Sequence, residues 1–314
     1  MYYPFLRGKQ FELIALREFS KENDGQNNII PVIEPVRNSL GQLSLTIGEL
    51  LKCKSSFALI LNPCRGDYSH PTIKFDALNK IGVLLEIKDM WIPAFIYQHG
   101  AASHILDMVS EYGFENIMII FSTCVSMDDE EAWDLIKNEN VHYVLNSFGS
   151  SIARRLKKKL FETGKEIVRL DDCFKRQSTN ENYAYAVDEL FSEEFYYYRE
   201  DGFSGFSDYT LLPGEFIEGG MLPKVVAIHL SYQKEKDQIY VHHFLSDSKN
   251  GKNDIKNEFV EAAQKVEPFW SEYARTSAIN ELISRAHDES YPGLGYLKKL
   301  SIKNHLELVS KIAK

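Results

Sequence analysis

Residues 2–34, YYPFLRGKQFELIALREFSKENDGQNNIIPVIE, read as one complete strand–helix–strand unit. YYPFLR (2–7) is a short apolar run. From Lys9 to Lys21, Phe11, Leu13, Ile14, Leu16 and Phe19 share one face while Glu12, Arg17 and Glu18 stay polar, which is helical spacing. The Asn- and Gly-rich stretch NDGQNN (23–28) stops that helix. IIPVIE (29–34) is nearly continuous apolar sequence, the pattern of a strand covered on both faces.

The same cadence recurs through FALILN (57–62), WIPAFIY (91–97), NIMIIF (116–121), VHYVLN (141–146), EIVRLD (166–171) and SDYTLL (207–212). Helices are expected between these runs, at 43–53, 76–87, 103–112, 128–138, 150–163 and 182–194. Each gap is long enough for the crossover that parallel neighbours need. Eight runs in this order predict a closed (β/α)₈ barrel over 1–215, with SDYTLL as its last strand. An alternative drops YYPFLR and makes IYVHHF (239–244) the eighth strand. The first assignment is preferred because it gives every strand a following helix until the last.

Beyond the eighth run the pattern changes. Residues 213–223 show no helical spacing before VVAIHLSY (225–232). The chain is therefore expected to return antiparallel, with QKEKDQ (233–238) turning into IYVHHF as a hairpin. Helices are expected at 254–266, 271–288 and 302–313, so 216–314 reads as a hairpin and helical extension packed on the barrel.

Composition narrows the functional classes. The 314 residues carry a net charge of −9, which leaves no overall footprint for nucleic acid or an anionic membrane. RRLKKK (154–159), spaced around Leu156 and Leu160, reads as the solvated face of an outer helix. Cys53, Cys64, Cys124 and Cys173 are scattered and form no zinc pattern, as expected of reduced thiols. MYYPFLRGKQ lacks the apolar core of a signal peptide, and no run approaches the ~20 apolar residues of a membrane span. These features together predict a cytoplasmic protein.

A barrel of this kind carries its site at the C-terminal ends of the strands. Those ends supply Arg7 and Lys9, Glu34, Asn62, Tyr97, Asn146, Asp171 or Asp172, and Asp208. Arg7 and Lys9 beside Glu34 suit a phosphate or carboxylate, because a guanidinium grips such anions through paired hydrogen bonds. Glu34, Asn62 and Asp171 would make an oxygen-rich site for Mg²⁺ or Mn²⁺. Asp171 and Asp172 point to opposite sides of their strand, so one of them faces the mouth; Asp171 is taken here. Asp208, in the glycine- and serine-rich FSGFSDY (203–209), is a third acidic candidate. Glu34, Asp171 and Asp208 are thus the candidate catalytic carboxylates, and Arg7, Lys9, Asn62, Tyr97 and Asn146 the candidate ligand contacts. His242 and His243 are adjacent on a strand, and their rings diverge too far to share a metal.

YYPFLRGKQFELIAL, IIPVIEPV, GFSDYTLLP and AIHLSYQKEKDQIYVHHF resemble the beta-protein family, a group of bacterial and phage proteins, over most of the first 250 residues. Proteins of that kind are often found among mobile-element and phage-related genes. The resemblance implies a binding module that recognises a protein partner in phage defence or toxin neutralisation. It places Arg7, Lys9, Glu12, Glu34 and the Asp208–Tyr209 pair on recurring positions, with Ser207 where a glycine is common. The residues themselves suggest the alternative, a metal-dependent barrel hydrolase acting on a phosphorylated or nucleotide-like substrate.

Overall fold

The structure is a computed structural model that describes residues 1–23, 28–70, 72–87, 90–148, 154–219, 223–249 and 254–313. The middle of the loop expected at 23–28, the start of the helix expected at 150 and part of the 213–223 loop lie outside the described residues.

Seven parallel strands follow one another in chain order: β1 (Phe5–Leu6), β2 (Val32–Ile33), β3 (Phe57–Ile60), β4 (Trp91–Ile96), β5 (Ile117–Phe121), β6 (Val141–Ser147) and β7 (Glu166–Asp171). β8 (Asp188–Ser192) leaves for a second sheet, and β9 (Gly205–Asp208) pairs with β7 as the eighth barrel strand. Tyr2 closes the ring through parallel bridges to Ile29 and Phe206. At that seam the Tyr3 N–H donates to the Phe206 carbonyl (2.8 Å) and the Phe206 N–H donates to the Met1 carbonyl (3.1 Å). Gly205 lets the seam close, because a β-carbon there would sit 2.6 Å from the Tyr3 ring. The protein is an α/β barrel of the (β/α)₈ type.

Alternate strand residues fill the interior. Phe5, Val32, Ala58, Ile60, Ala94, Met118, Ile120, Leu145, Val168 and Leu170 form one buried cluster with Tyr3 and Tyr209. Their neighbours on the strands face the outer helices: α1 (Gln10–Glu22), α2 (Gly41–Lys52), α3 (Ala77–Lys80), α4 (Val83–Glu86), α5 (Ala102–Tyr112), α6 (Glu130–Lys137), α7 (Arg154–Phe161) and α8 (Glu194–Tyr197). The helix expected at 76–87 is thus two single turns, broken around Ile81 and Gly82.

Two larger corrections concern the last crossover. The eighth strand is Gly205–Asp208, not 207–212. An Asp208 carboxylate oxygen accepts the Thr210 N–H (2.7 Å), and Thr210 takes φ +57°, which turns the chain out of the sheet. The helix expected at 182–194 is a 3₁₀ turn at Asn180–Tyr185, then β8, then α8. β8 pairs antiparallel with β11 (Gln238–Leu245), which in turn pairs with β10 (Ala227–Glu235). The open edge of the expected hairpin captured this segment, and tertiary pairing outweighed local helical spacing.

The extension continues through α9 (Ile255–Gln264), α10 (Val266–Phe269), α11 (Ser277–His287) and α12 (Leu294–Ile312). α11 begins later than expected because Thr276 caps it, accepting the Ile279 N–H (3.2 Å). α12 begins eight residues before the expected 302. It packs along α1 and takes the outer position that follows β9, so it completes the helix ring. Two of its lysines are buried in the contact. Lys299 reaches Glu18 (2.9 Å) and Lys303 reaches Glu22 (2.6 Å), which offsets the cost of burying two ammonium groups. His305 lies between Asp208 (3.5 Å) and Ser231 (3.0 Å), and Tyr2 donates to the same Asp208 carboxylate (2.7 Å). Barrel, helix ring and second sheet therefore interlock across residue 215. Among the described residues no helix is long and apolar enough to cross a membrane.

The second sheet carries a histidine pair. His229 and His243 share a hydrogen bond between their Nδ1 atoms (2.7 Å), and His243 reaches Glu189 (3.2 Å). Burial holds both imidazoles below their usual pKa of 6.5. They are neutral in the fold, so below about pH 6.5 the unfolded chain takes protons that the folded chain refuses. We expect wild type to lose stability relative to His229→Phe as pH falls from 7 to 5. Above pH 7 the gap should be constant. Denaturant midpoints for both proteins across that range check this, and the comparison cancels titrations elsewhere.

Candidate functional site

Strand alternation selects what faces the barrel mouth. Tyr3 and Phe5 point inward on β1, so Arg7 continues that side just beyond the strand. Val32 leads to Glu34 in the same way, Leu170 leads to Asp172, and Tyr209 follows β9.

Arg7 and Glu34 are both buried and meet directly, Arg7 Nη1 donating to Glu34 Oε2. The guanidinium lies 4.8 Å from the centre of the Tyr209 ring and 5.1 Å from that of Phe5. Arg65, from the loop after β3, brings its Nε to 3.6 Å from the same Glu34 oxygen. The segment after β9 folds across this group. Gly214 accepts from Arg7 through its carbonyl and donates to Asp172 through its N–H (2.9 Å). A β-carbon at Gly214 would lie 2.7 Å from the Tyr209 ring, so only glycine allows this approach. Lys9 Nζ donates to the Ile217 carbonyl (2.9 Å) and sits over the Phe216 ring; burial lowers its pKa.

Three polar atoms in this group have no hydrogen-bond partner among the described residues: Glu34 Oε1, Arg7 Nε and Arg65 Nε. Beside them Glu12 accepts the Arg7 backbone N–H (2.5 Å). Burial pushes the Glu12 carboxyl up to about 7, against the downward pull of that N–H and of Lys9.

The structure thus gathers Arg7, Lys9 and Glu34, and it adds Glu12, Arg65, Asp172 and Tyr209. Other expected members lie elsewhere. Asp171 faces the outer layer, where Arg169 holds it (2.7 Å) and also binds Glu194 (2.7 Å). Asp172 is the mouth residue, because Val168 and Leu170 point inward and position 172 shares their side. Asp208 is buried behind the barrel wall with Tyr2 and His305. Asn62 spends both ends of its amide on the Ile96 backbone (2.8 Å each), extending the β3–β4 pairing. Asn146 accepts the Val125 N–H (3.1 Å) and fixes the loop after β5.

Tyr97 points outward, its hydroxyl donating to Asp129 (3.0 Å) and Glu131 (3.1 Å). With His99 these two carboxylates bring ligand atoms within 4.8 Å of one another, a spacing that can hold a metal ion. Each carboxylate already has a structural task. Asp129 accepts the Ala132 N–H at the start of α6, and Glu131 accepts the Ala102 N–H at the start of α5. The oxygen-rich set expected for Mg²⁺ or Mn²⁺ is not assembled at the mouth. Glu34 is neutralised by Arg7 with Arg65 close by, and two guanidiniums repel a cation.

The sequence did carry a signal for Asp172: Arg169 could not point into an apolar barrel core, so Asp171 shares its outward side. Nothing in CRGD (64–67) marks Arg65, which reaches the mouth from a loop.

No family model and no curated protein matches the sequence. Among solved structures the chain is similar to an HpcH/HpaI aldolase from Desulfitobacterium hafniense DCB-2, with 10% identity and a TM-score of 0.34. That match covers 66% of this chain and 85% of the other.

Proposed function

We propose that this barrel is an enzyme acting on a small phosphorylated substrate at the mouth formed by Arg7, Glu34, Arg65 and Asp172. Arg7 and Arg65 hold the anion, and Glu34 exchanges the proton. One observation carries this reading: Glu34 Oε1, Arg7 Nε and Arg65 Nε lie together at the C-terminal end of the strands with no hydrogen-bond partner among the described residues. Buried polar atoms are almost always bonded, and an unpartnered group of them calls for a ligand. A phosphate oxygen accepts from the two Nε–H groups, and a substrate hydroxyl donates to Oε1. Arg7, Arg65 and Lys9 face Glu12, Glu34 and Asp172, and burial pushes the Glu12 carboxyl up to about 7, so that it is part neutral near pH 7 and the balance favours an anion. A carboxylate that meets substrate is one of the groups that carry protons in such sites. The partner-module reading is supported by the sequence resemblance, whereas the orphaned atoms favour a small ligand.

Calorimetric titration with ribose 5-phosphate and glycerol 3-phosphate tests this. We expect binding to wild type and at least about ten-fold weaker binding to Arg65→Ala, a loss of roughly 1.4 kcal/mol, with an unchanged circular dichroism spectrum. Equal affinity in both proteins, or no binding to either, would overturn the reading.

A further inference from the structure

Beside the mouth a cleft of about 490 Å³ runs between α1, the loop from β2 to α2 and the first turns of α12. We propose that this cleft seats the organic body of the substrate, and that the body is a flat, hydrogen-bonding ring system of the nucleoside class. The inference rests on the reading of the mouth as a phosphate site and adds the substrate class to it.

Four observations carry it. The first is size, since clefts of ~300–1,000 Å³ are those that enclose small organic ligands. The second is the chemistry of the walls. Phe11, Leu43 and Ile302 supply apolar surface, and a base can stack on a phenyl ring. Gln10 and Gln42 line the same space; the Gln42 amide oxygen accepts from Arg17 (3.0 Å), which leaves its NH₂ and the Gln10 amide as groups that can read the edge of a base. A purely aliphatic body would leave the Gln10 amide and the Gln42 NH₂ unused, and a sugar alone would leave the apolar wall in contact with water.

The third is continuity. A smaller cleft of about 170 Å³ includes Arg7 in its lining, and Lys9, Glu12, Leu212 and Lys298 line both spaces. A ligand lying in the large cleft therefore points its phosphate toward Arg7 past two lysines. The fourth is unspent bonding capacity. Lys298 is exposed and makes no hydrogen bond or ion pair among the described residues. Glu12 is 3% exposed; one of its oxygens holds the Arg7 N–H, and the other has no hydrogen-bond partner among the described residues. A carboxyl so placed, on the wall common to both spaces, can meet a ribose hydroxyl or carry a proton.

The test is calorimetry on the full chain with adenosine monophosphate, uridine monophosphate, adenosine and ribose 5-phosphate. The proteins are wild type, Ser39→Trp and Arg65→Ala. Ser39 is exposed and lines the cleft, so an indole there fills it without touching the mouth. We expect one of the nucleotides to bind wild type at least about ten-fold more tightly than ribose 5-phosphate. Ser39→Trp should abolish that gain and leave ribose 5-phosphate affinity unchanged. If nucleotides and ribose 5-phosphate bind equally, or if Ser39→Trp changes nothing, the cleft proposal is wrong while the mouth reading stands. If nucleotides bind and respond to Ser39→Trp but not to Arg65→Ala, the cleft proposal stands and the mouth reading falls. Binding of none of the four compounds overturns both.

Discussion

A chain ending at Gly293 should fail to fold. It keeps all eight barrel strands, so the expectation is not obvious from topology. What it loses is α12, whose Leu297, Leu300, Ile302, Leu306 and Val309 are buried. At about 1.5–3 kcal/mol for each large aliphatic side chain, those five contribute roughly 8–15 kcal/mol. That is the scale of the whole stability of a typical domain, about 5–15 kcal/mol. The truncated chain would also strip Ser231 and Asp208 of His305, and Glu18 and Glu22 of their lysines. Expression of residues 1–293 with solubility and circular dichroism as readouts checks this. A soluble chain with a cooperative melt would show that α12 is an accessory, not the eighth outer helix.

Glu34→Ala should be the costliest single change at the mouth. It strands the buried Arg7 guanidinium, leaving it the Gly214 carbonyl and two aromatic faces. Removing one partner of a buried ion pair costs about 3–5 kcal/mol, because the remaining charge stays desolvated. Arg7→Met should cost less, since Arg65 already stands 3.6 Å from Glu34 and can take over its carboxylate. Arg65→Ala should cost under about 1 kcal/mol, because Arg65 is partly exposed and its ion pair long. Denaturant melts of the three variants give the ranking. A Glu34→Ala chain as stable as Arg65→Ala would mean that the pair is better solvated than its burial implies.

Much of this architecture could be read from the sequence, and the exceptions share a cause. Runs such as IIPVIE and NIMIIF are strands because their apolar content is continuous, and that continuity survives in any context. The segment 182–194 is different. Tyr183, Phe191 and Phe195 are compatible with a helix, and the free edge of β11 decided the outcome. The start of α12 was hidden for a similar reason: GLGY (293–296) looks like a loop until Gly293, at φ +97°, begins a helix against α1. At the site, Arg7 and Glu34 were legible because both sit one step past a strand on its inward side. Asp171 misled because the choice between neighbours needs an anchor, and Arg169 was the anchor overlooked. Asp208 misled because the strand ended earlier than its apolar run. Arg65 and the cleft beside α12 depend on loops and on a helix nearly 300 residues downstream of β1, which no local pattern encodes.

The seam between Tyr2 and Phe206 sets a timetable for the newborn chain. β1 leaves the ribosome ahead of the other barrel strands, yet its second neighbour is made some two hundred residues later, a delay of roughly 10–40 s at ordinary translation speeds. Through that interval one flank of β1 has unsatisfied backbone groups and open apolar surface, the kind of edge that invites mispairing. Holding factors or slow, dilute synthesis should therefore raise the yield of native protein more than any change to the finished surface.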